Sequence, residues 1–168
     1  MAIKFFGAVL IIASCIMLGF HVSSVPLKRK RSLSAIDNCL EILENEIEFS
    51  KDYIDIIISR ICSQADRCPV FKEVLKDKDC IPIGVRWKNA VKKTKSAMCL
   101  NDEDCEVLSV LSSELGITGR DAQLASIRHV RTLLKLRIRD AESQCLSSVK
   151  LYRGLFTAAG IFLAVLLF

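Results

Sequence analysis

Glycine, proline and aromatic residues are scarce in this chain of 168 residues, which has seven Gly, three Pro and 7% aromatic side chains. A β-rich fold needs many turn residues, so this scarcity favours helices. The sequence also lacks a glycine-rich phosphate loop, a GxSxG elbow and an HExxH motif, and it has only two histidines. Because none of the residue patterns of catalysis is present, we predict that the protein is not an enzyme and binds no cofactor.

A stripe of basic residues is also missing. Only one of the 24 Lys and Arg residues lies before residue 24, and the others are interspersed with all 19 Asp and Glu residues. Four of these cations form the cluster Lys28–Arg31. Nucleic-acid binding would gather basic residues on one face or stripe, so we expect no nucleic-acid partner.

Both ends of the chain have long uncharged runs, Phe5–Phe20 and Gly154–Phe168. A membrane-spanning helix needs about 20 mostly apolar residues. The first run approaches this length when it is extended to Val25, and the second is extended by Leu151 and Tyr152. We therefore predict a transmembrane anchor over residues 1–25, a middle domain over 26–153 and a transmembrane helix over 154–168.

Two alternatives remain for the N-terminal run. It has some features of a cleaved signal peptide. The segment Ile12–Cys15 also looks like a lipoprotein processing box, which would leave a lipidated Cys15. In both alternatives the apolar residues that continue as far as Phe20 are unexplained.

Basic residues flank the two apolar runs on the side of the middle domain. Those flanking residues are Lys28, Arg29, Lys30, Arg31, Lys150 and Arg153. Because Lys and Arg near membrane segments mark the cytoplasmic side, we expect an integral membrane protein with its middle domain in the cytoplasm. Anionic lipid is the expected partner of the cluster.

The chain has eight cysteines, and seven of them lie in the middle domain. Those seven are Cys39, Cys62, Cys68, Cys80, Cys99, Cys105 and Cys145. An odd number fits reduced thiols in the cytoplasm better than a complete disulfide framework. Their spacing is not that of a zinc knuckle, and we expect no metal. A secreted or surface-anchored, disulfide-stabilised helical protein remains the main alternative.

Apolar periodicity predicts an all-α bundle of about six helices between the two membrane segments. In the first helix the apolar residues repeat at intervals of three and four: Leu33, Ile36, Leu40, Leu43 and Ile47. Four further helices are predicted: one after the cap Ser50, one from Val70, one around Trp87 and one after the cap Asn101, with Tyr53 and Val110 on apolar faces. The last and longest helix, from about Thr118, keeps heptad spacing and is the expected antiparallel partner of the first.

Several features occur in a fixed order along nearly the whole chain. A short apolar anchor and a basic patch precede Leu40–Phe49 (LEILENEIEF), then come Trp87, Leu115–Gln123 (LGITGRDAQ) and a Gly-containing apolar tail. This arrangement resembles the stage III sporulation protein AB family, with its Leu-Glu-x-Glu-Ile and Leu-Gly-x-x-Asp-x-x-x-Gln motifs. The chain departs from the second motif at Gly119, and it has Asp52–Ile54 where the family often has a Thr-Pro-Leu-like stretch.

The resemblance implies a platform in a secretion-like channel between mother cell and forespore, on the mother-cell side of the forespore membrane. Such proteins are similar to the cytoplasmic domains of type II secretion F proteins. The implied partners are a cytoplasmic AA-type sporulation ATPase and other channel components. A purely oligomerising membrane scaffold is a second alternative, and it would associate through Gly154, Ala158, Gly160 and Ala164.

Two sets of charges are candidate docking surfaces for the ATPase. The acidic set is Glu41, Glu44, Glu46 and Glu48, and the basic set is Arg128, Arg131, Lys135 and Arg139. The alternative is that the two sets pair with each other across the antiparallel first and last helices.

Overall fold

The structure, a computed structural model, describes the chain except for residues 1, 51, 65–67, 77–80 and 168. Over 2–23 and 147–167 it describes the backbone and the side chains of only Ser14, Met17, Leu155 and Ala158. The described residues form six α-helices, one 3-10 turn (Val110–Ser113) and no strand, which confirms the all-α prediction. The helices are α1 Ala2–Phe49, α2 Ile54–Gln64, α3 Pro69–Lys76, α4 Ile83–Thr94, α5 Asp102–Ser109 and α6 Arg120–Leu167.

The chain divides into two compact units. One is a helical bundle over Arg29–Arg139, and the other contains Met1–Lys28 and Asp140–Phe168. Within the described part of the chain, no helix is both long enough and apolar enough to cross a membrane. Most side chains of the predicted transmembrane segments, 1–25 and 154–168, lie outside the described residues, so those segments stay predictions.

The first and last helices of the bundle continue into the terminal unit. α1 contains Pro26, the first residue of the predicted middle domain, in its interior. Proline removes one backbone hydrogen-bond donor, but the helix continues on both sides of it. α6 has no proline and spans Gly154. The described chain therefore has six helices in total, not six between two further ones.

The apolar stripe of α1 forms one wall of the bundle core, as its spacing predicts. Leu33, Ile36, Leu40 and Leu43 are completely buried. On α6 the buried residues include Leu134 of the predicted heptad. An apolar residue repeating every three or four positions covers one helical face, which explains why this part of the core was readable from sequence.

Trp87 occupies the centre of the smaller helices. Its ring is fully buried and meets Phe71 edge to face, with ring centroids 5.2 Å apart and an interplanar angle of 84°. Its indole Nε1 donates a hydrogen bond of 2.7 Å to the carbonyl oxygen of Leu108. The single tryptophan thus joins α3, α4 and α5 through apolar contact and one satisfied polar group.

Three local predictions were wrong in detail. Tyr53 is exposed, because α2 begins only at Ile54 and the tyrosine precedes the helix. Val110 is exposed, because α5 ends at Ser109 and the tighter 3-10 turn changes the angular position of the following side chains. Ser50 does not cap α2; its hydroxyl accepts a hydrogen bond from the backbone N–H of Asp52.

The predicted cap of α5 is confirmed. The side chain of Asn101 accepts a hydrogen bond of 2.8 Å from the backbone N–H of Asp104. In return, the Asp104 carboxylate accepts one of 3.1 Å from the backbone N–H of Asn101. This reciprocal capping box satisfies donors that the first turn of a helix otherwise leaves unpaired.

Candidate docking surfaces

A network of ion pairs joins α1 and α6 within the bundle. Arg131 binds three carboxylates on α1: its guanidinium lies 2.6 Å from Glu44, 3.1 Å from Glu41 and 3.2 Å from Asp37. Arg128 lies 2.6 Å from Glu44 and 3.4 Å from Glu48. Arg131 contacts Asp37 and Glu41, whereas Arg128 contacts Glu48, so lower residue numbers on α6 pair with higher ones on α1. The two helices are therefore antiparallel here, as predicted. We call these six residues the α1–α6 ion network.

Glu44, Asp37 and Arg131 are its best-shielded members, with side-chain exposures of 12%, 13% and 14%. Burial by itself would raise the pKa of Glu44, but hydrogen bonds from Arg128 and Arg131 outweigh it and hold the pKa below its usual value. A hydrogen bond to Glu44 raises the pKa of Arg128. Both groups therefore stay charged at neutral pH, and the network is a fixed electrostatic feature.

The structure brings together only part of the predicted acidic and basic sets. Glu46 faces away from α6 and pairs with Arg60 on α2. Lys135 and Arg139 are exposed and make no ion pair with any residue that the structure describes. Pairing between the sets is therefore observed for the central residues Glu44 and Arg131 and their neighbours. It leaves the two outer basic residues available.

The basic cluster before the bundle has two different parts. Arg29 is buried, with 7% exposure, and its guanidinium makes a bidentate ion pair with the completely buried carboxylate of Asp104 at 2.7 and 2.8 Å. Arg29 is therefore a structural residue of the bundle as well as a member of the predicted flanking set. Lys28 and Arg31 are exposed, whereas the side chains of Lys150 and Arg153 lie outside the described residues.

No pattern in the sequence indicates either of two contacts made by buried arginines. The capping role of Asp104 was readable from its spacing to Asn101, but its partner is 75 residues away in sequence. Arg86 on α4 is also buried and donates a hydrogen bond of 2.6 Å to Asp55 on α2. Its Nε has no hydrogen-bond partner among the described residues. The periodicity of apolar residues assigns arginine to the surface, so it predicts neither contact.

Six cysteines have described side chains, and none of these six forms a disulfide. They are Cys39, Cys62, Cys68, Cys99, Cys105 and Cys145. A hydrogen bond to Cys39, with burial, raises the pKa of the Cys68 thiol. Burial also raises the pKa of Cys62. The Cys62 and Cys68 thiols thus remain protonated and unreactive at neutral pH.

These features define the class of protein to which the described part of the chain belongs. The described part of the chain is a helical scaffold whose polar chemistry consists of ion pairs, caps and exposed charges. Among the described residues, no group of three or more His, Cys, Asp or Glu side chains could hold a metal ion. The α1–α6 ion network lies on this scaffold, and its outer carboxylates Glu41 and Glu48 are exposed.

The chain belongs to the stage III sporulation protein AB family, whose family model matches residues 4–168. It is 28% identical over 171 residues to stage III sporulation protein AB of Bacillus subtilis, covering 98% of this chain and 99% of that protein. A solved structure of a stage III sporulation protein AB is similar with a TM-score of 0.63 and 24% identity, over 70% of this chain and 96% of that one. The family resemblance is thereby confirmed, and the likeness to the solved structure shows the fold.

Proposed function

We propose that this chain is a membrane-held platform of a sporulation-specific, secretion-like channel between mother cell and forespore, and that it docks a cytoplasmic ATPase. Family membership supports a role in sporulation. The channel and the ATPase are what the resemblance implies. An all-helical bundle that presents charged helix faces is consistent with a docking role rather than with a chemical one.

The proposed membrane arrangement follows from the sequence. Residues 1–25 and 154–168 would cross the bilayer, and residues 26–153 would lie in the cytoplasm on the mother-cell side of the forespore membrane. The exposed side chains of Lys28 and Arg31 support this arrangement, because long basic side chains beside a membrane segment extend toward anionic headgroups.

One observation carries the docking proposal: carboxylates outnumber guanidiniums on the outer edge of α1. Among the described residues, the four carboxylates of the α1–α6 ion network have only Arg128 and Arg131 as ion-pair partners. Beside them, Glu46 and Asp52 share one described cationic partner, Arg60. This excess of negative charge favours a partner with a basic surface, since complementary potentials speed and orient association.

Glu41 and Glu48 are the residues of this edge best suited to contact a partner. Their side chains are 55% and 44% exposed, and each touches only one arginine, which Glu44 also binds. A partner can therefore approach them without breaking the central Glu44 contacts. Lys135 and Arg139, which are exposed on α6, form a second and separate docking surface for acidic groups.

The test is charge reversal at the two outer carboxylates. We expect Glu41→Lys/Glu48→Lys to reduce co-purification of the sporulation ATPase by about tenfold or more from detergent-solubilised sporulating cells. The folded bundle should survive, because Glu44 keeps both of its arginines. Glu106→Lys is the matched control, since Glu106 is also exposed on a helix of the bundle and has no ion pair with a described residue.

Each result of this test has a definite meaning. Loss of the ATPase only in the double variant supports docking on α1. Equal capture by all variants shows that the carboxylate edge has no part in docking. Absence of the ATPase from the wild-type complex contradicts the platform proposal itself.

The membrane arrangement has its own test at Cys99, which is partly exposed. With the other cysteines replaced by serine or alanine, a membrane-impermeant maleimide should label Cys99 only after cells are opened. Labelling of intact cells would place the bundle outside the cytoplasm and favour the secreted alternative.

A further inference from the structure

Large apolar side chains are exposed where α1 ends and α2 begins. Phe49 and Tyr53 are 85% and 83% exposed, and Ile117 and Ile56 are 68% and 49% exposed. Single exposed apolar residues are common on protein surfaces, but two almost bare aromatic rings four residues apart are not. We call Phe49, Tyr53, Ile56 and Ile117 the apex surface.

Three shallow recesses connect these side chains into one surface. A recess of about 360 Å³ is lined by Tyr53 and Gly116, the neighbour of Ile117. Ser50 lines this recess and also a second one of about 420 Å³, which includes Phe49. The third recess, of about 410 Å³, is lined by Ile56 and Arg60.

Arg60 joins the three recesses through its ion pairs. Its guanidinium contacts Glu46, which lines the second recess, and lies 2.8 Å from Asp52, which lines the first. Hydrogen bonds from Ser50 and Arg60 lower the pKa of Asp52, so this carboxylate stays ionised. The apex surface is therefore an apolar patch whose recesses are lined by one more carboxylate than guanidinium: Glu46, Asp52 and Asp55 against Arg60 and Arg120.

We propose that the apex surface binds an amphipathic helix of another protein, with an apolar stripe that covers Phe49 and Tyr53 and with Lys or Arg along its edges. The aromatic rings supply the central anchors, because tyrosine and other aromatic side chains dominate the energetics of most protein interfaces. The recesses accept side chains spaced at three and four residues on the incoming helix. The excess of carboxylate fixes the sign of the flanking charges.

This inference rests on the proposed function only in that the chain acts by binding another protein. It concerns the apex surface, whereas the ATPase test concerns Glu41 and Glu48 on α1. Glu48 directly precedes Phe49 in the sequence, but the two surfaces have different basic partners, since Arg60 serves one and Arg128 and Arg131 serve the other. Failure of one proposal can therefore be distinguished from failure of the other.

The experiment uses the full chain in phosphatidylcholine nanodiscs, whose zwitterionic lipid does not attract cationic peptides. The probes are two fluorescent 18-residue helical peptides with the same leucine stripe, one flanked by lysines and the other by glutamates. We expect the Leu/Lys peptide to bind at least about tenfold tighter than the Leu/Glu peptide, measured by anisotropy against empty discs.

The variant that breaks the surface is Phe49→Ser/Tyr53→Ser. We expect it to weaken binding of the Leu/Lys peptide by about tenfold or more. The matched control is Val85→Ser/Leu136→Ser, which also removes two exposed apolar side chains, 49% and 52% exposed, but on α4 and α6. This control should bind the peptide as the wild type does.

Three outcomes would overturn the inference. The first is equal affinity for the two peptides, and the second is unchanged affinity in the Phe49→Ser/Tyr53→Ser variant. The third is a dimer in nanodiscs or detergent that depends on Phe49, which would make a second copy of this chain the occupant. If Glu41→Lys/Glu48→Lys loses the ATPase but still binds the Leu/Lys peptide, the two surfaces act independently.

Discussion

The two ends of the Arg29–Arg139 bundle differ in how their charged side chains are paired and buried. Where the chain enters the bundle, Arg29 and Asp104 form a bidentate ion pair, and both side chains are buried. Where α1 ends, Glu46 and Asp52 have one arginine between them, and exposed aromatic rings lie beside them. We call the first the closed end and the second the open end.

This difference predicts that one end of the bundle contributes most to stability and that the other end is the place of the proposed binding. A buried pair is costly to break, because the remaining partner is left as an unpaired charge away from water. Exposed ion pairs contribute about 0–1 kcal/mol, so residues at the open end can change without unfolding the bundle. Substitutions at the closed end should therefore affect folding, and those at the open end should affect binding.

The largest effect is expected at the closed end, for Asp104→Ala. It removes the completely buried carboxylate that holds the Arg29 guanidinium in a bidentate ion pair, together with half of the capping box, so we expect a loss of about 3–5 kcal/mol in the free energy of unfolding. Urea unfolding of the full chain in mild detergent can be followed by the fluorescence of Trp87, the only tryptophan. Asp102→Ala is the control, because Asp102 lies in the same helical turn but is 88% exposed. If Asp102→Ala lowered the free energy of unfolding as much as Asp104→Ala does, the buried pair would have no special role.

The next largest effect is expected in the interior of the bundle, for Gly84→Ala. A Cβ atom at this position would lie 1.9 Å from the carbonyl oxygen of Ser112, so the backbones of α4 and the 3-10 turn would have to separate. Alanine favours helices by about 1 kcal/mol over glycine, but this clash should outweigh the gain and cost about 1–3 kcal/mol.

Gly119→Ala is the matched control, since its Cβ would meet nothing within 4 Å. It should change the free energy of unfolding by less than about 0.5 kcal/mol. Urea midpoints compared at constant slope measure both variants, and an unaffected Gly84→Ala would show that α4 shifts without cost.

The sequence predicted those parts of the fold that depend on local patterns. The stripe from Leu33 to Ile47, the cap at Asn101 and the antiparallel pairing of the first and last helices follow from spacing alone. The error at Tyr53 has a local cause: apolar spacing shows which residues share a face but not where a helix begins.

Contacts between distant residues were beyond reach of the same reasoning. Arg29 belongs to a basic run that indicates a membrane flank, and nothing near it points to Asp104. The division of the acidic set was also hidden, because Glu46 follows Glu44 by two positions and therefore faces a different neighbour. Such choices depend on tertiary packing, which places Arg60 beside one residue and Arg128 beside the other.

A smaller effect is expected in the α1–α6 ion network, which lies between the two extremes. Glu44→Gln should cost about 1–2 kcal/mol at neutral pH, because the two arginines lose a charged acceptor. The folded state lowers the pKa of Glu44 below the ordinary value of 4.5, so its contribution is complete above that value and is lost as the pH falls through the lower folded-state pKa. The free energy of unfolding, measured from pH 7 to pH 3, should fall less steeply for the variant than for the wild type. If the two curves of the free energy of unfolding against pH were parallel, other carboxylates would be the cause of the acid sensitivity.

The smallest effect on stability is expected at the open end, for Phe49→Ser/Tyr53→Ser. Both rings are already in water, so their removal exposes no core and leaves no buried polar group unpaired. The free energy of unfolding should change by less than about 0.5 kcal/mol, measured by the same Trp87 fluorescence. A loss of more than about 1 kcal/mol would mean that the rings support the fold, and weakened peptide binding could then reflect unfolding. A stable variant with weakened binding instead separates recognition at the open end from folding at the closed end.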